Sequence, residues 1–253
     1  MKELKNIKYQ MKLPEDSLSD YVKVFWKLQN SASTDEKFII LPDGYFDILF
    51  SLKDGRIFRT YLFGLSTKEF ATVMPGNATS FAVSFKLSAA EYILKMSIAS
   101  LVDKIKLLPD NFWGFEENDF TSFNEFVKKI SQKIKSLSDN KIDQRKQSLF
   151  NILYETNGSI TVEEISKTVD WSSRQINRYF KSKFGLSLKS YCGILRYRAS
   201  FEQLKNKELY PKQNYSDQAH FIKEVKKYSG ATPKQLAKNN NDRFIQLSTL
   251  TDK

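Results

Sequence analysis

Ser172-Ser173-Arg174-Gln175-Ile176-Asn177-Arg178-Tyr179-Phe180-Lys181-Ser182-Lys183-Phe184-Gly185 is the stretch that decides how this chain folds. Ile176, Phe180 and Phe184 stand four apart, so they share one face of a helix. Ser172 with Gln175 three residues later is the pattern of a capping box, and Gly185 closes the helix. Ser173, Arg174, Asn177 and Arg178 are left on or near the exposed N-terminal half. A second stretch repeats the plan: Ser216-Asp217-Gln218-Ala219-His220-Phe221-Ile222-Lys223-Glu224-Val225-Lys226-Lys227-Tyr228-Ser229-Gly230. A short capped helix with one apolar and one Arg/Lys/Gln/Asn face suits both a core and a DNA major groove. Arginine can pair with guanine, and asparagine or glutamine with adenine; the same arginines could equally meet phosphate or solvent.

Working outward, Thr161-Val162-Glu163-Glu164 is another capping box, and its helix turns Val162, Ile165 and Val169 inward. Asp170-Trp171 makes a tight turn before Ser172. Helix, tight turn and helix make a helix-turn-helix unit. Leu149, Phe150, Ile152 and Leu153 mark an earlier helix that stops at Asn157-Gly158. Tyr191, Ile194, Leu195, Tyr197, Arg198, Phe201 and Leu204 predict one long helix after it. The second basic helix should bury Phe221, Ile222, Val225 and Tyr228. Thr232-Pro233 opens a last short helix with proline in its first position.

This half resembles the AraC/XylS family of DNA-binding domains. The resemblance is carried by Val162-Glu163-Glu164-Ile165-Ser166, residues 172–180, Phe184-Gly185-Leu186-Ser187, Tyr191, Leu195-Arg196 and Ala199. It continues in Asp217-Gln218-Ala219-His220-Phe221 and Tyr228-Ser229-Gly230-Ala231-Thr232-Pro233. It implies a sequence-specific transcription regulator with two helix-turn-helix units joined by a long helix, each setting one helix into successive major grooves. Ser173, Arg174, Gln175 and Asn177 are then reading or phosphate-contacting positions, and Ser172, Arg178 and Lys181 complete the first unit's candidate set. Asp217, Gln218, His220 and Lys223 are the counterparts in the second unit, with Lys226 and Lys227 added as phosphate contacts. The implied partners are double-stranded promoter DNA and, in such regulators, RNA polymerase.

One departure stands out. Only residues 207–215 fill the space before the second basic helix, roughly five too few for a full helix and turn, and Pro211 would break a helix there. Asn214 stands where a turn glycine belongs; asparagine is next best at positive φ. The first unit is expected to carry most base readout.

The first half reads as strands at 21–28, 37–41, 45–52, 56–63 and 80–86, with turns at Pro42-Asp43-Gly44, Lys53-Asp54-Gly55 and Met74-Pro75-Gly76-Asn77. Ser88-Ala89-Ala90-Glu91 predicts a capped helix. Phe123, Phe126, Val127, Ile130, Ile134 and Leu137 predict another, either a dimer seam or a cover for the strands. Tyr21-Val22, Phe25-Trp26, Leu41-Pro42-Asp43-Gly44, Asp47-Ile48-Leu49-Phe50, Gly64 and Ala82-Val83-Ser84-Phe85 are similar to an uncharacterised domain often fused ahead of AraC-type regions. That similarity implies a cupin-like barrel that binds a small-molecule effector, forms a homodimer, or does both. The expected class is α+β: a β-rich domain over 1–140, an all-α tandem helix-turn-helix domain over 141–238, and a tail over 239–253. Phe244, Ile245 and Leu247 should dock the tail back.

Of 253 residues, 40 are Lys or Arg and 29 Asp or Glu, a net charge of +11. Residues 141–238 hold 19 basic and 9 acidic side chains, nearly the whole surplus. Clustered positive charge attracts phosphate backbones and releases their counterions. There is no apolar run of membrane-spanning length, and the single cysteine suits a reducing compartment, so a cytoplasmic protein is expected. His220 is the only histidine, which excludes a histidine cluster or triad in the first half. Cys192 reads as a buried thiol, Asp43 as a turn residue, and no glycine-rich loop cradles a phosphate. Phe25, Trp26, Phe46, Phe58, Tyr61, Phe63, Phe81 and Phe85 line either a core or an effector pocket. No catalytic residue, metal or cofactor is expected. The competing readings are a non-specific architectural DNA-binding protein and an enzyme merely docked on nucleic acid.

Overall fold

The computed structural model describes residues 2–4, 6–138, 142–212, 215–239 and 243–249. The expected boundary at 140 and 141, the turn residue Asn214, and Asn240, Asn241 and Asp242 of the tail lie outside the described residues.

The strands of the first half are β1 (Lys2–Leu4), β2 (Ile7–Lys12), β3 (Val22–Asn30), β4 (Glu36–Ile40), β5 (Phe46–Lys53), β6 (Arg56–Phe63), β7 (Phe70–Met74), β8 (Ala78–Phe85) and β9 (Ile105–Leu107). Seven form one antiparallel sheet in the order β1-β2-β3-β8-β5-β6-β9, while β4 and β7 pair as a ribbon. Among the described residues no pairing joins β9 back to β1, so the sheet is open. Strand alternation sorts the side chains into two faces. Phe46, Ile48, Phe50 and Leu52 of β5 fall on one face and are buried. Phe81 pairs with Phe50, and Phe85 with Phe46, so the same face continues across β8. Helix α2 (Phe123–Leu137) covers it, with Phe126 centred 6.0 Å from Phe50 and 5.3 Å from Phe81. The apolar stripe of α2 is therefore spent inside the chain, on the sheet. Trp26, Asp47, Leu49, Tyr61 and Phe63 share the opposite, half-buried face, and Phe58 is exposed.

Helix α1 (Ser88–Tyr92) departs from its expected cap. The backbone at Leu87 is already helical, so Ser88 lies inside the first turn and its hydroxyl donates to the Asp20 carbonyl. Glu91 is drawn away to the helical half, described below.

That half comprises α3 (Gln144–Glu155), α4 (Val162–Val169), α5 (Ser173–Phe184), α6 (Leu188–Ala199), α7 (Phe201–Lys205), α8 (Gln218–Ser229), α9 (Pro233–Lys238) and α10 (Ile245–Thr249). The expected single helix through Leu204 is two segments. At Ser200 the N–H bonds the Tyr197 carbonyl three residues back at 3.0 Å, and the Ser200 hydroxyl takes the same oxygen at 2.6 Å. Ile222 is another difference: it is 39 % exposed, because Phe221, Val225 and Tyr228 set the buried stripe and Ile222 lies beside it. The α+β class holds: a β-rich first half is followed by an α-helical second half.

Buried side chains of both halves form one continuous cluster. Gly44, at φ +84, lets its turn lie against α6; a β-carbon there would stand 2.8 Å from Leu195 Cδ2. The Leu87 N–H donates to the Tyr154 hydroxyl at 2.9 Å, tying the start of α1 to α3. Tail residues Phe244 and Leu247 are buried as expected, and Phe244 bridges to Ile39 of β4. Gln246 both donates to and accepts from the backbone of Leu41, each bond 2.9 Å.

Candidate nucleic-acid interface

Helix α5 is built as its sequence suggests. Ser172 Oγ accepts the Gln175 N–H and Gln175 Oε1 accepts the Ser172 N–H, closing the capping box. Gly185 ends the helix in the left-handed conformation. Ile176, Phe180 and Phe184 are completely buried, each burial contributing about 1.5–3 kcal/mol. Ahead of it, α4 has its own Thr161/Glu164 capping box and ends at Asp170 in left-handed geometry. The Ser166 hydroxyl donates to the Trp171 carbonyl at 2.6 Å and fixes the turn.

The polar side chains of α5 divide into two groups. Ser172 and Gln175 are engaged in the cap. Asn177 is half-buried: its amide donates to the Ser173 carbonyl at 3.0 Å, and its Oδ1 accepts the Leu188 N–H at 3.2 Å. It clasps α5 to the first turn of α6. Arg174, Arg178 and Lys181 are exposed and make no ion pair among the described residues. Ser173 is half-buried.

The first half holds α5 from outside. The Ser97 hydroxyl donates to the Ser182 and Lys183 carbonyls at 2.8 and 3.1 Å, and the Ile98 N–H donates to the Lys183 carbonyl at 2.9 Å. These are carbonyls of the last helical turn, which have no partner within the helix itself. Glu91 of α1 accepts from Lys146 at 2.6 Å and from the Tyr179 hydroxyl at 3.0 Å. Burial, and then the negative charge of Glu91, push the Tyr179 hydroxyl well above its ordinary range. No local motif could have marked Ser97, because its partners are 85 and 86 residues away.

The second unit is reduced, as the short spacer suggested. No helix lies between α7 and α8 among the described residues. Buried Gln203 organises the connecting chain, donating to the Tyr210 carbonyl at 3.0 Å and accepting the Lys212 N–H at 3.3 Å. Helix α8 rests on α6 and on the connecting chain instead: Phe221 and Val225 are fully buried, Tyr228 stacks on Tyr197 with ring centres 5.2 Å apart, and Tyr215 packs on Phe221. Asp217 caps the helix through the His220 N–H at 2.7 Å, and the His220 ring lies 3.1 Å from the Ser216 hydroxyl. Gln218, Lys223 and Lys226 are exposed. Lys227 meets Glu224 and the Tyr228 hydroxyl, each at 3.2 Å. Burial works against its charge, but these two partners outweigh it and hold the ammonium above its ordinary range.

Cys192 is buried in α6, and burial pushes its thiol up to about 11, which keeps it an unreactive thiol. Asp43 is more than a turn residue. It accepts the Tyr45 N–H at 3.0 Å, and burial holds both its carboxyl and that of Asp47 above the ordinary range, with Arg198 opposing the shift at Asp43.

Residues 10–106 match the family described as "Domain of unknown function (DUF6597)". The match spans 97 of the 253 residues, all of them in the first half. The chain is also 23 % identical over 141 residues to the uncharacterised HTH-type transcriptional regulator YtdP of Bacillus subtilis, covering 52 % of this chain and 18 % of that protein. The chain thus spans less than a fifth of that relative. With its paired motifs and helix order, the half behind the matched segment resembles AraC-type domains. Among solved structures, ToxT from Vibrio cholerae aligns over 92 % of this chain and 98 % of its own, at 11 % identity and a TM-score of 0.45. A fatty-acid-bound form of ToxT aligns over 94 % and 97 %, again at 11 % identity and 0.45. No helix among the described residues is long and apolar enough to cross a membrane.

Proposed function

We propose that the chain is a sequence-specific transcription regulator of the AraC type that binds double-stranded promoter DNA. Helix α5 enters the major groove and α8 supports it. The reading rests on the exposed cationic face of α5, Arg174, Arg178 and Lys181, backed by the fully buried Ile176, Phe180 and Phe184. A helix so backed presents its arginines on a rigid base, as groove reading requires. Arg174 and Arg178 read bases. Gln175 and Asn177 shape the helix and its junction, and Ser172 and Ser173 lie at the helix N-terminus, where a phosphate is favoured. In α8, Gln218, Lys223 and Lys226 face the duplex, Lys227 adds charge, and Asp217 and His220 set the helix start.

Residues 1–140 act as a sensor or dimerisation domain, 141–238 as the DNA-binding domain, and 239–253 as a tail that fastens the two. The chain is not an enzyme in this reading, and its place of work is the cytoplasm.

Selection of bound fragments from genomic DNA by the purified protein tests it. The expected result is enrichment of one shared motif, held against excess random duplex at physiological salt. Binding that random duplex displaces fully would instead mark a non-specific architectural protein.

A further inference from the structure

Beside α5, between the start of α3 and the turn at Trp171, lies a cleft of about 390 Å³. Its floor is aromatic: the rings of Trp171 and Tyr179 are centred 5.4 Å apart. Its rim is cationic, formed by Arg178 and Lys183, while Lys146 is largely buried with its ammonium 5.3 Å from the centre of the Tyr179 ring. The Arg145 guanidinium adds a further charge, 5.2 Å from the centre of the Trp171 ring. Glu91 matches the charge of Lys146, and Asp143 pairs with Arg145 at 3.3 Å. Arg178 and Lys183 make no ion pair among the described residues, so the cleft keeps a positive surplus.

An aromatic floor under a cationic rim fits a ligand with one apolar face and one anionic group, and a deoxyribose with its phosphate is such a ligand. Arg178 stands both on the exposed face of α5 and on the rim of the cleft, so a duplex read by α5 would pass its backbone over this opening. We propose that the cleft receives one sugar-phosphate of the DNA backbone flanking the bases read by α5, with Lys183 gripping the phosphate and Trp171 meeting the sugar. The proposal rests on α5 being the recognition helix. It adds Lys183 and Trp171 to the interface and makes their contribution independent of sequence.

The test uses the full chain carrying Lys183→Gln, which removes one charge, keeps most of the side-chain stem and leaves the Lys183 carbonyl bonds in place. Affinity is measured across a salt series on the selected duplex and on random duplex. Each lost phosphate contact should flatten the log–log salt dependence by about 0.9. The expected result is that flattening on both duplexes, several-fold weaker binding and an unchanged sequence preference. A scan with single methylphosphonates should find one flanking phosphate whose neutralisation weakens the wild type and leaves Lys183→Gln unmoved.

An unchanged salt slope, or no such phosphate, overturns the proposal. A polyglutamate peptide that quenches the fluorescence removed by Trp171→Phe, where duplex does not, would assign the cleft to an acidic peptide and also overturn it. A flattened slope without any preferred duplex would keep the cleft and remove the sequence-specific reading. A preferred duplex with an unchanged slope would do the reverse, and no duplex binding at all removes both.

Discussion

The Tyr191 hydroxyl donates to the Gly44 carbonyl oxygen across 2.9 Å, joining α6 to the turn that leads into β5. Both residues are buried. Tyr191→Phe removes the donor without changing the ring, and should cost about 1–3 kcal/mol by leaving a buried carbonyl unpaired. Denaturant titration of the full chain measures it. Gly44→Ala should cost more, because it combines strain at positive φ with a clash against Leu195. An effect no larger than that of Tyr191→Phe would show that the turn can withdraw from α6.

Arg174 and Asn177 should part company on substitution. Arg174→Ala should cost about 1–3 kcal/mol at the selected duplex and relax the preference there, with no change in thermal midpoint. Asn177→Ala should lower the midpoint, because it opens the bond to the Leu188 N–H. Unchanged DNA binding in Arg174→Ala would mean that α5 is not the reading helix.

Lys226→Ala should weaken binding to every sequence alike and flatten its salt dependence by about 0.9. Lys227→Ala should do less, since Glu224 and Tyr228 already hold that ammonium. Equal effects would show that both partners release Lys227 when DNA binds.

Ser172→Ala should destabilise the chain by about 1 kcal/mol through the lost cap. Ser172→Asp should restore most of that stability while weakening DNA binding, because a carboxylate at the helix N-terminus repels phosphate. Thermal melts and affinity on random duplex separate the two effects.

Asp47 gives the chain a pH dependence. Burial, with Asp43 beside it, holds its carboxyl above the ordinary carboxylate range. The folded chain then keeps a proton that the unfolded chain has released. Stability is full below the ordinary carboxylate range and declines as pH rises through it towards the raised value. Asp47→Asn removes the decline, so its melting temperature should exceed that of the wild type at neutral pH, and the gap should close near about pH 3. A gap that persists in acid would assign the effect to packing.

Local pattern was enough to read α5, α2 and β6, whose limits follow from a capping box, from four-residue spacing and from a turn glycine. It was not enough for β2. Ile7, Tyr9 and Met11 alternate with Lys8, Gln10 and Lys12, but the alternation spans only six residues, and it is pairing with β3 that fixes them as a strand. Ser88 and Asn177 show the deeper limit. The Ser88 hydroxyl serves Asp20, and the Asn177 amide serves a residue beyond the end of its own helix. A side chain of the right type at the right spacing has several possible uses, and only tertiary packing selects one. The same holds for Asp43 and Asp47, which look like turn and strand residues until the strands are stacked and α6 is laid against them.

The bonds from Ser97 and Ile98 to the last carbonyls of α5 have a practical consequence. A fragment beginning after residue 140 would retain every residue proposed to touch DNA, yet its reading helix would end in bare carbonyls facing solvent. Its last turn would fray, and Lys181 with it. The boundary drawn along the chain and the boundary of the working helix are therefore different places: part of the stop signal for α5 is encoded 85 and 86 residues before the carbonyls it satisfies.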